Sequence, residues 1–347
     1  MNSVPGPSGT SFRVAEESDS ARILSFLEKN WRKDHVLVTN PSLMLWQHGD
    51  AAAKSLNFVL AETNSALVAI LGFIPFRRFD PSLPADSIAL AIWKRTDQAE
   101  RGTGFRMLQW LIEEKSPATV IALGLNAGTL PIYQRLGFTE GVMGHFALFR
   151  KGLTHSVITG QSIPPRPSLE SGLCLAEEVG NVSNLRDSNV ERLLTSNFPP
   201  KSIAYYRERF ENHPWFTYFF ATLVAGTTTE LLLVYRVIEI EGARVLRVVD
   251  IAGDVEQLPR GARALSDLVS NHDAEYLDIV AVGLNDTTMN NAGFVSREAD
   301  PNLVLPNYFD PFERRNVDVL FAFKTAGSHS GTYHFHPADS DQDRPNR

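Results

Sequence analysis

Two short segments carry residue types that suit an anionic ligand. The first, residues 101–106 (RGTGFR), joins an apolar run at 87–93 to an amphipathic run at 105–112, so the pattern predicts a glycine loop between a strand and a helix. The first turn of a helix leaves N–H groups without intrahelical partners and carries partial positive charge. Glycines let a phosphate approach the backbone, and an arginine adds a charged hydrogen bond. The segment predicts a pyrophosphate-binding loop, although an ordinary turn also fits so short a run.

The second segment (NAGTLPIYQRLGF) begins at Asn126 and supplies a phenol. Residues 120–124 before it predict a short buried strand, and Asn126 is typical of the residue that opens a helical turn. Residues 130–136 predict a helix that ends at Gly137, with Tyr133 inside it.

At this spacing the two segments resemble the GNAT superfamily of acyl-CoA transferases. In that family the pyrophosphate loop reads Arg/Gln-x-x-Gly-x-Gly/Ala, and a later signature reads Asn…Tyr-x-x-x-Gly-Phe. The matching positions are Arg101 and Gly104 in the loop and Asn126, Tyr133, Gly137 and Phe138 in the signature. Chance matches within ordinary α/β packing are the alternative.

The resemblance implies acyl-CoA as co-substrate. The residues expected to hold it are Arg101, Gly102, Thr103, Gly104, Phe105, Arg106, Asn126 and Tyr133. Arg106 departs from the family, because it stands where Gly or Ala is usual. Either its side chain points outward and only its N–H is used, or it reaches a CoA phosphate.

Composition narrows the class of protein. A chain of 347 residues with 43% hydrophobic residues predicts about two domains with sizeable cores, and the net charge of -7 argues against a nucleic-acid-binding protein. No apolar stretch approaches the roughly 20 residues of a membrane span, and the polar amino terminus does not read as a signal peptide. The single cysteine, Cys174, excludes an internal disulfide framework and a Cys/His zinc pattern. We therefore expect a cytoplasmic protein.

The order of predicted elements repeats along the chain. Each half contains two paired strands, a third strand, a helix, a fourth strand and a Gly-Phe pair. The predicted fold class is therefore α/β with mixed sheets, arranged as tandem GNAT-like domains. The predicted boundaries are a flexible N-terminus (1–11), the acyl-CoA-binding domain (12–150), a proline-rich linker (151–170), a second domain (171–325) and a tail (326–347).

The second domain is predicted to be degenerate. Residues 253–261 replace its glycine loop, and Asp254 and Glu256 within them would repel a pyrophosphate. This domain is therefore not expected to bind CoA. It either contacts the acceptor or covers the sheet edge of the first domain.

Aromatic and polar residues of the second half suggest an acceptor site. The candidates are Trp215, Tyr218, Arg236, Asp250 and Tyr308, which offer rings for stacking and groups for hydrogen bonds. Asp250 fits either a buried anchor or an acceptor contact. From the residues alone, the terminal stretch 339–346 reads as a solvated acidic end.

The second half and the tail also resemble a subset of tandem GNAT proteins that N-acylate amino sugars carried on nucleotides. That resemblance implies transfer of an acetyl or 3-hydroxybutyryl-like group to a dTDP- or UDP-linked amino sugar, for surface polysaccharide (lipopolysaccharide O-antigen) biosynthesis. A nucleotide diphosphate would need arginines such as Arg236, Arg314 or Arg344. The alternatives are an acetyltransferase acting on a peptide, amino acid or small thiol, and a noncatalytic acyl-CoA sensor. The oligomeric state stays open.

The catalytic chemistry needs few side chains. Tyr133 is the candidate acid for the departing thiolate, or else only packs its helix. His145 is the candidate base, since imidazole titrates near neutrality, although a lone histidine in a strand is commonly structural. We expect no metal, because His329, His334 and His336 lack the carboxylate or cysteine spacing of a metal site.

Overall fold

The computed structural model describes residues 4–5, 9–163, 172–179, 181–182, 185, 189–300, 302–327 and 333–345. His329 and parts of the predicted N-terminus, linker and tail lie outside these residues. The chain forms two compact units, the first made of Met1–Gly141 with Leu320–Ser328 and Pro345–Arg347, the second of Val142–Val319 with His329–Arg344.

The strands of the first half are β1 (Val4–Pro5), β2 (Thr10–Glu16), β3 (Gly49–Asp50), β4 (Ser55–Thr63), β5 (Ala66–Pro75), β6 (Ser87–Arg95), β7 (Thr119–Leu123) and β8 (Thr139–Val142). Its helices are α1 (Ser20–Asn30), α2 (Val36–Thr39), α3 (Pro41–His48), α4 (Thr103–Lys115) and α5 (Leu130–Arg135). The strand and helix predicted around residues 87–112 are thus β6 and α4.

The strands that follow are β9 (Gly144–Phe149), β10 (His155–Ser156), β11 (Gln161–Ser162), β12 (Cys174–Val179), β13 (Phe219–Ala225), β14 (Thr228–Ile240), β15 (Ala243–Gly253), β16 (Tyr276–Ala281), β17 (Val295–Ser296), β18 (Tyr308–Phe309), β19 (Phe312–Glu313) and β20 (Leu320–Thr325). The helices of this half are α6 (Asn189–Ser196), α7 (Ile203–Tyr206), α8 (Leu258–Asn271) and α9 (Asp286–Asn291).

The sheet of the first unit lies between two helical layers. Its strand order is β1-β2-β4-β5-β6-β7-β20-β8, with β3 on β4, and the pair β6–β7 is parallel. Successive residues of a strand face opposite sides. Ile70 of β5 accordingly packs with Ile23 and Leu43 of α1 and α3, whereas Leu71 packs with Met107 of α4. The apolar run of β5 is continuous because both of its faces are buried.

The sheet of the second unit repeats this order. Its strands run β12-β13-β14-β15-β16-β9-β17, and the pair β15–β16 is parallel. These seven strands correspond one to one with β2-β4-β5-β6-β7-β20-β8. The predicted tandem repeat of one α/β unit is therefore confirmed.

One position in each sheet is filled by a strand from the other half of the chain. β20 pairs with β7 in the first sheet, and β9 pairs with β16 in the second. β9 and β20 occupy corresponding places, so the two halves exchange one strand each. The predicted domain boundaries, drawn as continuous segments, stay a prediction.

Two stretches differ from the sequence expectation. Residues 151–170 were predicted to be a linker, yet β10 and β11 within them pair as a hairpin, and the Glu275 carboxylate accepts hydrogen bonds from the N–H groups of Val157 (2.7 Å) and Ile158 (3.0 Å) in its turn. The terminal acidic stretch is buried instead of solvated, because Asp339 and Asp343 form ion pairs with the buried Lys201 and Arg209 respectively.

Among the described residues, the helices are all too short or too polar to cross a membrane.

Candidate functional site

In the first unit the pairing of β6 with β7 stops before β6 ends, which leaves a gap in the hydrogen-bond ladder between the two strands. The two strands pair in parallel only from Ser87 to Leu90 on β6, while β6 continues to Arg95. A bulge in β6 accompanies the separation, since the register with β5 shifts between Leu71 and Phe73. The backbone of β6 beyond Leu90 is therefore available to a ligand that enters the gap.

Helix α4 follows β6 after the loop 96–102, and its first turn is open. Gly102 is the N-cap residue with φ +85°, a conformation that favours glycine. The first helical bond joins the N–H of Arg106 to the Gly102 carbonyl (3.1 Å). In the described part of the chain, the N–H groups of Gly104 and Phe105 have no acceptor. Two backbone donors at a helix N-terminus suit a phosphate.

Guanidinium groups surround this turn. The Nη2 atom of Arg106 lies 3.2 Å from a carboxylate oxygen of Glu100, so this side chain folds back over the loop. Arg101 is exposed, and the guanidinium of Arg135 lies 5.1 Å from the ring centroid of Phe105. Three arginines are therefore near the helix N-terminus, and the charge of one of them, Arg106, is paired with Glu100.

Trp93 closes the gap from the side of β6. A Cβ atom at Gly104 would lie 3.1 Å from Cζ2 of the Trp93 indole, a tighter approach than side chains normally make. Trp93 also meets Tyr133 edge to face, with ring centroids 5.8 Å apart. The indole thus links the glycine loop to the candidate acid.

Tyr133 is 2% exposed and packs against Trp93 and Phe138. Burial raises the pKa of its phenol above the ordinary value of 10, so the hydroxyl stays protonated at neutral pH. Within the described residues its hydroxyl makes no hydrogen bond. Asn126 orients this region, because its side chain accepts a hydrogen bond from the N–H of Gly128 (2.8 Å) at the turn before α5.

The corresponding turn of the second unit is closed by acidic side chains. The Asp254 carboxylate accepts a hydrogen bond from the N–H of Glu256 (3.1 Å), and Glu256 is bound in turn by Asn285 (2.8 Å) and Thr288. These carboxylates take up donors that a phosphate would need. Met289, five residues before the Gly-Phe phenylalanine, stands where the first unit has its tyrosine.

His145 lies in the second unit, in β9. Its Nε2 atom is 3.0 Å from the Asp278 carboxylate, which also accepts a hydrogen bond from the Arg247 guanidinium. Desolvation lowers the pKa of the imidazole, against the opposing effect of Asp278, so the ring is neutral at neutral pH. His145 is buried in this network, and its role as base stays a prediction.

The candidate acceptor residues divide into buried and exposed groups. Tyr218 and Arg236 come together at Asp343: the Tyr218 hydroxyl donates to its carboxylate (2.5 Å) and Arg236 donates to its carbonyl (2.9 Å). The rings of Trp215 and Tyr308 are exposed, at 42% and 38%. Those two rings are accessible to an acceptor, and all four assignments stay predictions.

Asp250 is fully buried and belongs to a separate cluster. Both of its carboxylate oxygens lie 2.8 Å from Nζ of Lys201, and the Tyr206 hydroxyl donates to it (2.7 Å). Of the two readings left open by the sequence, this environment favours the anchor.

The fold also gathers metal-ligand types that the sequence spacing did not suggest. Asp250, His336 and Asp339 place one ligand atom each within 4.8 Å of one another. The ammonium of Lys201 lies 2.8 Å from both carboxylates, so a side-chain cation already occupies this cluster and offsets one of its two negative charges.

No protein-family model and no curated protein matches the sequence. Solved structures do match the fold. A GCN5-related N-acetyltransferase from Anabaena variabilis ATCC 29413 aligns with a TM-score of 0.55 at 10% identity, over 92% of this chain and 73% of its own. A putative acetyltransferase from Pyrococcus horikoshii aligns at 0.52 and 10%, over 98% of both chains. A probable N-acyltransferase of unknown function from Enterococcus faecalis V583 aligns at 0.52 and 7%, over 91% of this chain and 72% of its own.

At these identities the likeness establishes the fold. The chain has the fold of GCN5-related N-acetyltransferases, as the loop and signature predicted.

The sequence did not single out two residues that the structure places in these clusters, Trp93 of the first unit and Lys201 of the second. Trp93 ends an apolar strand, and nothing in its spacing distinguishes a site residue from a core residue. Lys201 stands among prolines and serines with no pattern to mark burial. A signal for the repeat was present, since Gly-Leu-Asn occurs at 124–126 and again at 283–285, after β7 and β16.

Proposed function

We propose that this protein is an acyl-CoA-dependent N-acyltransferase whose first unit binds the acyl-CoA. The observation that carries the proposal is the contrast between the two helix N-termini. The turn at Gly104 offers free N–H donors beside a strand gap, whereas the turn at Asp254 fills the same place with carboxylates. Only the first suits a pyrophosphate.

The fit of the co-substrate rests on the shape of the loop. Gly104 leaves space against Trp93 that a Cβ would fill, and Arg101 and Arg106 would supply charge for the phosphates. The separated backbone of β6 would receive the chain that leads from the phosphates to the thioester. Backbone N–H groups at the β6 bulge are the donors for a developing oxyanion.

The reaction is aminolysis of a thioester. The acceptor nitrogen forms a bond to the acyl carbon, the carbon–sulfur bond breaks, the nitrogen loses a proton and the sulfur gains one. Tyr133 is the proposed donor of that last proton, since burial keeps its phenol protonated and it lies beside Trp93. His145 remains the named candidate for the base.

For the acceptor we propose the amino group of a nucleotide-linked amino sugar, with an acetyl or 3-hydroxybutyryl-like group transferred. The support is the resemblance of the second half to sugar-acylating tandem proteins, together with the exposed rings of Trp215 and Tyr308.

One observation favours a second class of acceptor. The arginines expected to hold a nucleotide diphosphate already have partners: Arg236 binds the Asp343 carbonyl, Arg314 pairs with Glu241 and Arg344 lies 3.8 Å from Asp341. A peptide, an amino acid or a small thiol needs no such arginines. These acceptors therefore stand as the alternative.

Thiol release from acetyl-CoA and 3-hydroxybutyryl-CoA tests the proposal against a panel of dTDP- and UDP-linked amino sugars, with peptides, amino acids and simple thiols alongside. Release with one nucleotide sugar, lost when the nucleotide is removed, would establish the acceptor class. Release only with peptides or small acceptors would move the assignment to the alternative. Acyl-CoA binding without release from any acceptor would indicate a sensor.

Binding of acyl-CoA is tested separately by calorimetry. Arg101→Ala should weaken it by the roughly 1–3 kcal/mol of a charged hydrogen bond. Arg315→Ala, at a guanidinium that pairs with Glu313 in the second unit, serves as the matched control. If Arg101→Ala and Arg315→Ala bind acyl-CoA with equal affinity, Arg101 does not contact the ligand.

A further inference from the structure

The second unit has a strand gap that corresponds to the one in the first. β15 and β16 pair in parallel only from Val245 to Val248 on β15, which then continues to Gly253. A bulge shifts the β15 register beside Asp250, as one does in β6. The duplicated fold therefore contains a second cleft of the same construction.

The chain's own C-terminal segment, residues 333–344, contacts both strands that border this cleft. Phe335 forms an isolated bridge with Val282 just after β16, with N–H to carbonyl distances of 2.9 and 3.4 Å. On the side of β15, Nδ1 of His336 lies 3.4 Å from the Asp250 carboxylate. A segment that touches both separated strands lies in the opening between them.

The backbone approach is close enough to require a glycine. A Cβ at Gly283, where φ is +89°, would lie 2.0 Å from the carbonyl oxygen of Tyr333. Phe335 is fully buried and His336 is 1% exposed. The backbone of the segment therefore packs directly against the backbone at Gly283, with no room for a side chain there.

Buried charges hold the rest of the segment. The Asp343 carboxylate receives Arg209 (2.8 Å) and the Tyr218 hydroxyl, while Asp339 lies 2.8 Å from Lys201. Buried carboxylates are tolerated only with such partners. The pairing depends on these residues: replacing Asp343 removes the carboxylate that pairs with the buried Arg209, and replacing Asp339 removes one of the two carboxylates at Lys201.

We infer that the cleft of the second unit is a peptide-binding site, occupied by this chain's own segment 333–344 at the place that corresponds to the acyl-CoA cleft of the first unit. The comparison with an acyl-CoA cleft rests on the proposed function. The peptide site itself rests only on the contacts of segment 333–344. The site selects an extended acidic peptide: a buried aromatic residue pairs with Val282, and carboxylates follow four and eight residues later for Lys201 and Arg209. With its own segment in place, the second unit offers no cleft to a cofactor.

The test uses the full, folded chain. A site-specific protease sequence is inserted between Gly327 and Tyr333, the protein is cleaved after folding, and retention of the freed peptide is followed by gel filtration with mass spectrometry. The peptide should stay with the wild-type body. In Asp343→Asn it should leave at least about tenfold faster, because Arg209 and Tyr218 lose their charged partner, whereas Gln342→Ala, at a neighbouring partly buried position, should match wild type.

A second measurement avoids any folding defect in the variant. Synthetic peptides 333–347 with the same two substitutions compete against a labelled wild-type peptide for one wild-type cleaved body. The wild-type and Gln342→Ala peptides should compete equally, and the Asp343→Asn peptide at least about tenfold less well. Prompt loss of the peptide from wild type, or equal behaviour of the Asp343 and Gln342 changes, would overturn the inference. No acyl-CoA is present, so failure of the proposed activity would leave this result unaffected.

Discussion

Lys201 and Asp250 form a two-point ion pair in the interior of the second unit, with the ammonium 2.8 Å from each carboxylate oxygen and neither side chain more than 3% exposed. Asp339 completes the arrangement at 2.8 Å from the same nitrogen. One cation thus pairs with two buried carboxylates, so its loss should cost more stability than the loss of an exposed ion pair.

Replacing Lys201 by methionine should lower the free energy of unfolding by about 3–5 kcal/mol, since two carboxylates would be left buried without a cation. Urea titration followed by circular dichroism measures the loss. Lys151→Met, at an exposed position, is the matched control and should change little. A loss below about 1 kcal/mol would show that the cluster is open to water or rearranges.

Replacing Gly104 by valine should weaken acyl-CoA binding about tenfold or more, since the side chain would obstruct the N–H donors of the first turn, and a lost hydrogen bond to a charged group costs roughly 1.5–3 kcal/mol. The side chain would press on Trp93 beside the open turn of α4. Calorimetric titration with acyl-CoA gives the affinity. Gly327→Val, in the same unit and with nothing within 4 Å of the added atom, should bind as wild type does. Unchanged binding by both variants would place the ligand elsewhere.

Replacing Tyr133 by phenylalanine should lower kcat by about a hundredfold or more with little change in KM, as expected for loss of a general acid. The ring contacts with Trp93 and Phe138 need no hydroxyl, so thermal stability should stay the same. Steady-state thiol release and a melting curve check both points. Tyr235→Phe, where the hydroxyl lies 3.1 Å from Nε2 of His272 in the second unit, controls for loss of a phenol outside the proposed site. If Tyr133→Phe turns over as fast as wild type, the hydroxyl has no catalytic role and Tyr133 serves only in packing.

The pH dependence of stability should reveal the buried His336. Burial lowers the pKa of its imidazole to about 3, with Lys201 acting in the same direction and Asp250 in the opposite one. An unfolded histidine has a pKa near 6.5, so below that pH the unfolded chain binds a proton that the folded chain does not. This residue therefore lowers the free energy of unfolding as the pH falls from about 6.5 towards 3, by at most about 1.4 kcal/mol per pH unit.

His336→Asn should remove that contribution, so the variant's stability should fall less steeply than the wild type's between about pH 6 and 4. Urea titrations at several pH values measure the two slopes. His155→Asn, at an exposed position, should keep the wild-type slope. Parallel curves for His336→Asn and wild type would mean that the imidazole takes up its proton in the folded state.

Local patterns predicted what local interactions determine. The apolar runs of β5 and β6, the helix α4 and the turn that Asn126 opens follow from residues close together in the sequence, and so does the repeat of the unit. The pairing of Asp343 with Arg209 joins residues 134 apart, so no local pattern marks that carboxylate as buried. For the same reason the sequence alone predicted that the acidic tail is solvated, because its partners Lys201 and Arg209 are distant in the sequence.

Local sequence patterns also could not predict which sheet β9 and β20 would join. Each is a short apolar strand, and its sequence fits either sheet because both sheets present the same kind of neighbour. Chain order suggests that β9 completes the first sheet, but the structure pairs it with β16. The position of a strand along the chain therefore does not determine which sheet it joins.

The exchanged strands bear on how such a chain evolves. After duplication, a copy that no longer binds a ligand is normally expendable and accumulates deletions. Here the second copy supplies β20 to the first sheet, beside β7 and next to the proposed site. Deleting it would remove the strand that covers the edge of β7. The exchanged strand therefore ties the second copy to the integrity of the first copy's sheet.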